Sequence, residues 1–430
     1  MKPVGRAGLF LALALLLVLA PPDVPLEAQT VLIQGDRVMT LGPQGELSPG
    51  FVLLRDGRIV SVTGSRPSGV PENALDLRAA VVTPGLLDAR STLGLTGLHP
   101  DDDDQDETSG PNQAHLRALD AFDPRDPAVS YALRNGVTTV QAAPGDANSV
   151  GGQAGVFKLA GATVEEMVVR SPSALVLSLN ETAKLTYGQS RRFPSTRMAN
   201  VGLIREALLE AQDYRPASEG ENPPARDLKK EALGRVLAGE IPALVSAERA
   251  DELATAIRLA EEFGLVLQIV GGAQAMAVLD RLQEAGVPVL WGPPGDAALT
   301  GVQGEATEAR ATWGREITRG QDAEATPAAL RDRGIPYALV TGDDADAPRT
   351  RLLDLAVTAV RGGLTEAEAL EAITLSPARI LGLDGELGSL EVGKQGDLVL
   401  FDGDPLAPGA RVTVVLMGGR PVWQRPDRLP

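Results

Sequence analysis

The stretch ALVSAERADELATAIRLAEEFGLVLQIVGGAQAMAVLDRLQEAGVPVLWG (residues 243–292) alternates short apolar runs with longer amphipathic segments. The runs ALVSA, LVLQIVG and VPVLWG have the length and composition of buried strands. In the segment between the first two runs, Leu253, Ile257 and Phe263 recur at the spacing of one helix face. Repeated units of a short strand and an amphipathic helix indicate a parallel β/α architecture.

Similar units continue on both sides of this stretch. IPYALVTGD (335–343) precedes a predicted helix over residues 349–362, and Thr365 and Glu368 form a capping box for a further helix. Alternation over about 300 residues suits a (β/α)₈ barrel better than a single Rossmann unit. We therefore predict a TIM-like (β/α)₈ barrel over residues 84–383.

The two ends of the chain have a different pattern. FVLLRDGRIVSVTG near the N-terminus and RVTVVLMGGRPVW near the C-terminus are apolar runs interrupted by glycine or Asp-Gly, which is typical of hairpin strands. Because chain ends often lie close together, we predict one small composite β-sandwich domain from residues 29–83 and 384–430. The predicted fold class is α/β, with the barrel as the main domain.

Residues 1–28 have the pattern of a secretory signal peptide. Lys2 and Arg6 precede an apolar run from Leu9 to Ala20, and three prolines follow it. As a helix this run reaches about 18 Å, short of the ~30 Å hydrocarbon core, so a membrane anchor is disfavoured. We predict an exported protein, periplasmic or extracellular, with no membrane attachment after cleavage.

The composition excludes several kinds of chemistry. The 430 residues include two histidines and no cysteine, which excludes disulfides, cysteine nucleophiles and zinc sites built on cysteine. The net charge of −17 argues against nucleic acid or an anionic membrane surface as a partner.

Three segments resemble the amidohydrolase superfamily, in its imidazolonepropionase-like, exported branch. They are VVTPGLLDARSTLGL (81–95), ALRNGVTTVQAAPGDANSVGGQAGVFKLAG (132–161) and LTEAEALEAITLSPARILGLDGELGSLEVGKQGDLVLFDGDP (364–405). The resemblance implies a barrel hydrolase acting on non-peptide C–N bonds. It also implies one or two divalent metals, such as zinc, held by histidines and acids, which activate water.

The resemblance assigns a residue of this chain to each metal-ligand position. The four positions expected for histidine carry other residue types, whereas the two acidic positions are kept. These residues are Arg90, Thr92, Ser246 and Gly271 in place of histidine, and the acids Glu181 and Asp343.

The two histidines of the chain do not replace the missing ligands. His99 and His115 lie outside the matching positions, and we interpret both as surface or loop residues rather than displaced ligands. We therefore expect no metal and no other cofactor, and a vestigial metal centre.

Losing the metal would leave Glu181 and Asp343 without a cation near the barrel mouth. We hypothesise that Arg90 replaces the metal charge and pairs with Asp343, Glu181 or both, because a guanidinium binds carboxylates bidentately. The alternative is that Arg90 points into solvent. Asn180 and Arg249 follow predicted strands and are candidates for lining a pocket.

A glycine-rich segment, GDANSVGGQAG (145–155), leaves two interpretations open. Its backbone N–H groups can cradle an anion, or it can be a plain turn. The acidic run DDDDQDE (101–107) is interpreted as a solvated loop.

Three functional interpretations follow, the third of which is a pure scaffold in the exported compartment. The first is a catalytically inactive amidohydrolase homologue, which binds a small-molecule ligand or forms a homo- or hetero-oligomer with an intact relative. The alternative is an active amidohydrolase without a histidine-bound metal, in which Asp343 acts as general base.

Overall fold

The computed structural model describes residues 30–97, 102–214, 225–292, 323–342 and 351–426. Within these ranges the chain forms sixteen strands and twelve α-helices. The strands are β1 (Thr30–Met39), β2 (Glu46–Leu47), β3 (Gly50–Arg55), β4 (Arg58–Thr63), β5 (Leu75–Pro84), β6 (Leu86–Ser91), β7 (Val137–Ala142), β8 (Val150–Lys158), β9 (Val168–Ser178), β10 (Ala243–Ala247), β11 (Leu267–Gly271), β12 (Val289–Trp291), β13 (Tyr337–Leu339), β14 (Leu398–Phe401), β15 (Val412–Met417) and β16 (Arg420–Gln424).

Most of the helices follow a barrel strand, as the β/α pattern predicts. They are α1 (Ala118–Ala121), α2 (Pro127–Arg134), α3 (Val164–Met167), α4 (Glu181–Gly188), α5 (Arg197–Asp213), α6 (Leu228–Leu237), α7 (Ala250–Phe263), α8 (Leu279–Ala285), α9 (Thr326–Asp332), α10 (Leu352–Arg361), α11 (Glu366–Glu371) and α12 (Leu375–Ile380).

Strands β6 to β13 form one eight-stranded sheet in chain order. The last strand returns to the first, since the N–H of Gly342 donates to the carbonyl of Arg90 at 3.0 Å and Ser91 pairs with Gly342 in a parallel bridge. The sheet is therefore a nearly closed barrel, as the predicted TIM-like fold requires.

One strand departs from the all-parallel pattern that we predicted. β8 runs antiparallel to both β7 and β9, while the other neighbouring pairs of the barrel are parallel. The connection between β7 and β8 comprises only residues 143–149, and a parallel crossover needs about a dozen residues or more. This short connection crosses one end of the barrel and carries Asp146.

Alternate strand residues fill the barrel interior. Leu87 of β6, Val176 of β9, Leu244 of β10 and Leu290 of β12 belong to one buried cluster with Leu381, which follows α12. The opposite strand faces pack against the helices in a larger cluster. Side chains therefore fill the barrel, and polar groups gather at the strand ends.

The remaining strands form a second sheet in the order β16-β15-β14-β5-β1-β3-β4, with β2 beside β1. Strand β5 from the N-terminal part lies between β1, which is parallel to it, and β14 from the C-terminal part, which is antiparallel. Both ends of the chain therefore build one β domain beside the barrel. The domain limits given above, 29–83, 84–383 and 384–430, remain predictions.

Within the described ranges, no helix is both long and apolar enough to span a membrane. The predicted signal peptide, residues 1–28, lies outside the described residues.

Candidate functional site

Arg90 lies at the mouth end of β6, and its side chain is fully buried. The guanidinium donates to the carbonyl of Pro144 at 2.8 Å and to that of Ala143 at 3.4 Å. Its charge is balanced by the Asp146 carboxylate, with 3.5 Å between Nη2 and Oδ1. Because a buried charge is costly unless it is paired and hydrogen-bonded, these contacts explain how the guanidinium is accommodated.

The carboxylate of Asp146 contacts the side chains of Ser246 and Asn180 as well as that of Arg90. The hydroxyl of Ser246, on β10, donates to Oδ1 at 2.6 Å, and the amide of Asn180 donates to Oδ2 at 2.7 Å. Arg90, Asp146, Asn180 and Ser246, here called the Arg90 cluster, are each at most 6% exposed. The cluster joins the ends of β6, β9 and β10 to the β7–β8 connection.

Asn180 is held in place by its role as the N-cap of α4. Its side-chain oxygen accepts from the N–H of Thr182 at 3.1 Å and from the hydroxyl of Ser178 at 2.9 Å. The amide group is therefore left to donate to Asp146, and the helix cap orients the cluster.

The structure places Glu181 in a different network. Its carboxylate pairs with Lys184 and with Arg197, while the carboxylate facing Arg90 belongs to Asp146. The hypothesis that Arg90 pairs with Glu181 is therefore wrong. Glu181 opens α4 and turns toward cations of α4 and α5. Asp343, the other acid of the hypothesis, lies outside the described residues.

Arg249 does not take part in the cluster. It is exposed at the start of α7 and pairs with Asp251 at 2.9 Å. Of the two candidates for a pocket, Asn180 belongs to the Arg90 cluster through its hydrogen bond to Asp146.

Thr92 and Gly271 occupy the remaining positions expected for histidine. Thr92 is fully buried, and its hydroxyl has no hydrogen-bond partner in the described part of the chain. Gly271 has φ of +96°, and a Cβ added there would stand 2.3 Å from a carboxylate oxygen of Glu248. Any side chain at position 271 would therefore meet both backbone strain and the Glu248 carboxylate.

Asp88 forms a second buried acidic site, which sequence reasoning did not single out. Its carboxylate accepts from the backbone N–H groups of Arg90 and Thr341 at 3.3 Å each, and from the Thr341 hydroxyl at 2.5 Å. Burial raises the pKa of Asp88 to about 6, although these hydrogen bonds and the Arg90 charge oppose the shift. Asp88 thus ties β6 to the end of β13, where the barrel closes.

The side chains at the four positions where the resemblance expects histidine do not fit the metal that it implies. Guanidinium, hydroxyl and glycine are not zinc ligands, and the positive charge of Arg90 would repel a cation bound beside it. Among the described residues, no group of three or more His, Cys, Asp or Glu side chains is placed to hold a metal.

The two histidines do not change this fit. Burial and the nearby Lys229 lower the pKa of His115, which is partly buried and lies beside α6. His99 lies outside the described residues.

Known proteins resemble this chain both in sequence and in fold. A sequence model described as the amidohydrolase family matches residues 128–422. The fold is similar to the crystal structure of an amidohydrolase from Thermotoga maritima MSB8, with a TM-score of 0.80 and 32% identity, covering 92% of this chain and 100% of that one.

Two further relatives are similar in sequence along most of the chain. An imidazolonepropionase from Sphingopyxis alaskensis is 26% identical over 418 residues, which cover 89% of this chain and 92% of the relative. Amidohydrolase tasK from Hapsidospora irregularis is 28% identical over 414 residues, 88% of this chain. The match spans only 40% of the length of that protein.

Proposed function

Because this chain belongs to the amidohydrolase family, we propose that it keeps the family's barrel without metal-dependent hydrolysis and acts by binding a partner. The observation that carries this proposal is the buried ion pair of Arg90 and Asp146 at the barrel mouth. Under this proposal the guanidinium takes the place of the metal cation, whose open coordination positions would otherwise bind water and substrate.

Burial of the mapped positions supports the same conclusion. Arg90 and Thr92 are fully buried, and Ser246 is 2% exposed. A hydrolytic site needs room for both a nucleophilic water and a substrate carbonyl, and closely packed side chains at these positions oppose both. The burial also opposes binding of a small molecule at these positions.

The alternative function is an amidohydrolase that cleaves non-peptide C–N bonds without a histidine-bound metal, with Asp343 as general base. It is favoured by the relatives of similar length, which are named as imidazolonepropionases. Under this alternative the compounds to test are cyclic amides such as imidazolonepropionate.

Two measurements on the purified chain test the proposal. We expect metal analysis to find much less than one equivalent of zinc or another divalent ion, before and after incubation with each metal. We also expect no turnover of imidazolonepropionate or N-acyl amino acids above a blank. One equivalent of tightly bound metal, or hydrolysis that Asp343→Asn abolishes, would contradict the proposal and support the alternative.

A further inference from the structure

Two segments that the sequence singled out lie against each other at the barrel mouth. They are the acidic run, of which residues 102–107 are described, and the glycine-rich segment 145–155. The N–H of Gly145 donates to the carbonyl of Gln105 at 3.0 Å, and the N–H of Ala147 donates to Oδ1 of Asp106 at 3.1 Å. The acidic run is therefore folded onto the glycine-rich segment.

Asp106 differs from the other acids of the run. The four other described acids are exposed, as a solvated loop predicts, whereas Asp106 is half-buried with its carboxylate against the backbone of residues 145–147. Backbone N–H groups in a glycine-rich turn attract anions, because they carry partial positive charge. Of the two interpretations of the glycine-rich segment, the contact with Asp106 supports the anion cradle.

Gly145 allows the carboxylate to come this close to the backbone. A Cβ built at Gly145 would stand 2.3 Å from Oδ2 of Asp106, and its three nearest atoms would all belong to that carboxylate. The backbone of Gly145 is not left-handed, so its conformation does not require glycine. Glycine is needed here for the close approach of the Asp106 carboxylate.

Two further contacts hold the run on the mouth through its backbone. The amide of Asn148 donates to the carbonyl of Glu107 at 3.0 Å, and the guanidinium of Arg192 donates to the carbonyl of Ser109 at 3.1 Å. These contacts do not depend on the carboxylate of Asp106. Removing that carboxylate should therefore open the cradle without releasing the run from the mouth.

We propose that the backbone of residues 145–147 is a binding site for a carboxylate, which the chain itself fills with Asp106. From outside the chain, the site would take a small carboxylate of the size of the aspartate side chain, such as acetate. Because Asp106 is tethered beside the site, its effective concentration is about millimolar or higher, and an external carboxylate binds the unmodified chain only weakly.

The cradle is continuous with the Arg90 cluster through the backbone. Asp146 lies between the two residues whose N–H groups hold the acidic run, and its own carboxylate faces Arg90, Ser246 and Asn180. A carboxylate in the cradle thus fixes the backbone that presents Asp146 to the cluster. The cradle also gives a small ligand a place at the mouth outside the closely packed cluster.

The test removes the resident carboxylate and supplies a free one. Asp106→Gly leaves space for one acetate ion and should lower the melting temperature by about 2 °C or more, because the N–H of Ala147 loses its acceptor. Sodium acetate at about 100 mM and neutral pH should recover about half of this loss or more, relative to sodium chloride at the same ionic strength. The unmodified chain should show no shift specific to acetate, because Asp106 occupies the cradle.

Two variants provide matched controls. Asp104→Gly makes the same change at an exposed acid of the run, and acetate should stabilise this variant no more than sodium chloride does. Asp106→Gly/Gly145→Ala should fold, because the atoms nearest to the new Cβ all belong to the carboxylate that is removed. Its methyl group fills the cradle, so acetate should no longer recover the stability that Asp106→Gly loses. Circular dichroism checks that each variant folds.

Hydrogen exchange of Asp106→Gly locates the bound acetate. Acetate should slow the exchange of the backbone amides of residues 145–148 and leave helix α10 unchanged. If acetate does not recover the stability of Asp106→Gly better than chloride does, the proposal is overturned. It is also overturned if the variant with Gly145→Ala recovers equally, or if exchange slows only outside residues 145–148.

Discussion

The guanidinium of Arg90 lies 3.5 Å from the carboxylate of Asp146, and the two side chains are 0% and 4% exposed. This pair connects β6 to the short β7–β8 connection at the barrel mouth. Asp146 also accepts hydrogen bonds from Ser246 and Asn180, so a single carboxylate connects four chain segments. The Asp146 carboxylate therefore cross-links the strand ends at the barrel mouth.

The first prediction concerns the stability contributed by this pair. Arg90→Met should lower the free energy of unfolding by about 3–5 kcal/mol, because the Asp146 charge is then buried without its cation. Asp146→Asn should cost a similar amount for the converse reason. The double variant should cost clearly less than the sum, since it buries no charge. Urea unfolding followed by circular dichroism measures all three values.

An exposed ion pair provides the matched control. Arg66 and Asp76 are 2.9 Å apart, but both side chains are more than one-third exposed. Arg66→Met should therefore change the free energy of unfolding by no more than about 1 kcal/mol. If Arg90→Met behaves like Arg66→Met, the buried pair does not hold the barrel mouth together.

The second prediction concerns Gly271. Gly271→Ala should destabilise the chain by about 2 kcal/mol or more, because the backbone is left-handed and the new Cβ displaces the Glu248 carboxylate from its hydrogen bond with the N–H of Ala273. Gly286→Ala has a similar backbone, with φ of +62°, but open space, so its cost should be only about 1 kcal/mol. Adding Glu248→Ala should relieve part of the Gly271→Ala penalty and none of the Gly286→Ala penalty. Equal costs at the two glycines would contradict the steric part of the explanation.

The third prediction is a pH dependence caused by Asp88. Its pKa rises from 3.8 to about 6 on folding, so the folded chain binds this proton more tightly than the unfolded chain. The stabilisation is fully present below pH 3.8 and is lost as the pH rises through 6; its size is about 3 kcal/mol. Asp88→Asn should abolish this component. The unfolding free energies of the unmodified chain and of Asp88→Asn should be measured from pH 3.5 to 7.5. The difference between them should fall by about 3 kcal/mol as the pH rises through this range. A difference that does not change with pH would contradict the shifted pKa.

Much of the fold was predictable because it depends on local patterns. The capping box of Thr365 and Glu368 opens α11 as predicted, with both of its hydrogen bonds formed. The contribution of both chain ends to one β domain also followed from the alternation of short apolar runs. The antiparallel β8 was missed because its apolar residues look the same in either direction. Only the length of the connection 143–149 indicates the reversal.

The sequence singled out three residues of the Arg90 cluster but not the carboxylate that joins them. Arg90, Asn180 and Ser246 were candidates, and all three contact Asp146. Asp146 was missed because its role depends on contacts far apart in sequence. One signal was available: it follows β7 in the segment GDANSVGGQAG, and polar residues after barrel strands gather at the mouth.

The last prediction tests whether the barrel mouth keeps the geometry of a metal site. Arg90 and Ser246 both approach Oδ1 of Asp146. Histidines at positions 90 and 246 would therefore face the Asp146 carboxylate, and all three groups could bind the same cation. Arg90→His/Thr92→His/Ser246→His should therefore bind about one equivalent of zinc, measured by metal analysis after dialysis, because three imidazoles and a carboxylate suit tetrahedral zinc. The same variant with Asp146→Asn should bind much less. Adding Gly271→His should reduce folding rather than increase affinity, because φ of +96° and Glu248 oppose a side chain there. A folded triple variant that takes up no zinc would show that the mouth has diverged in geometry as well as in residue type.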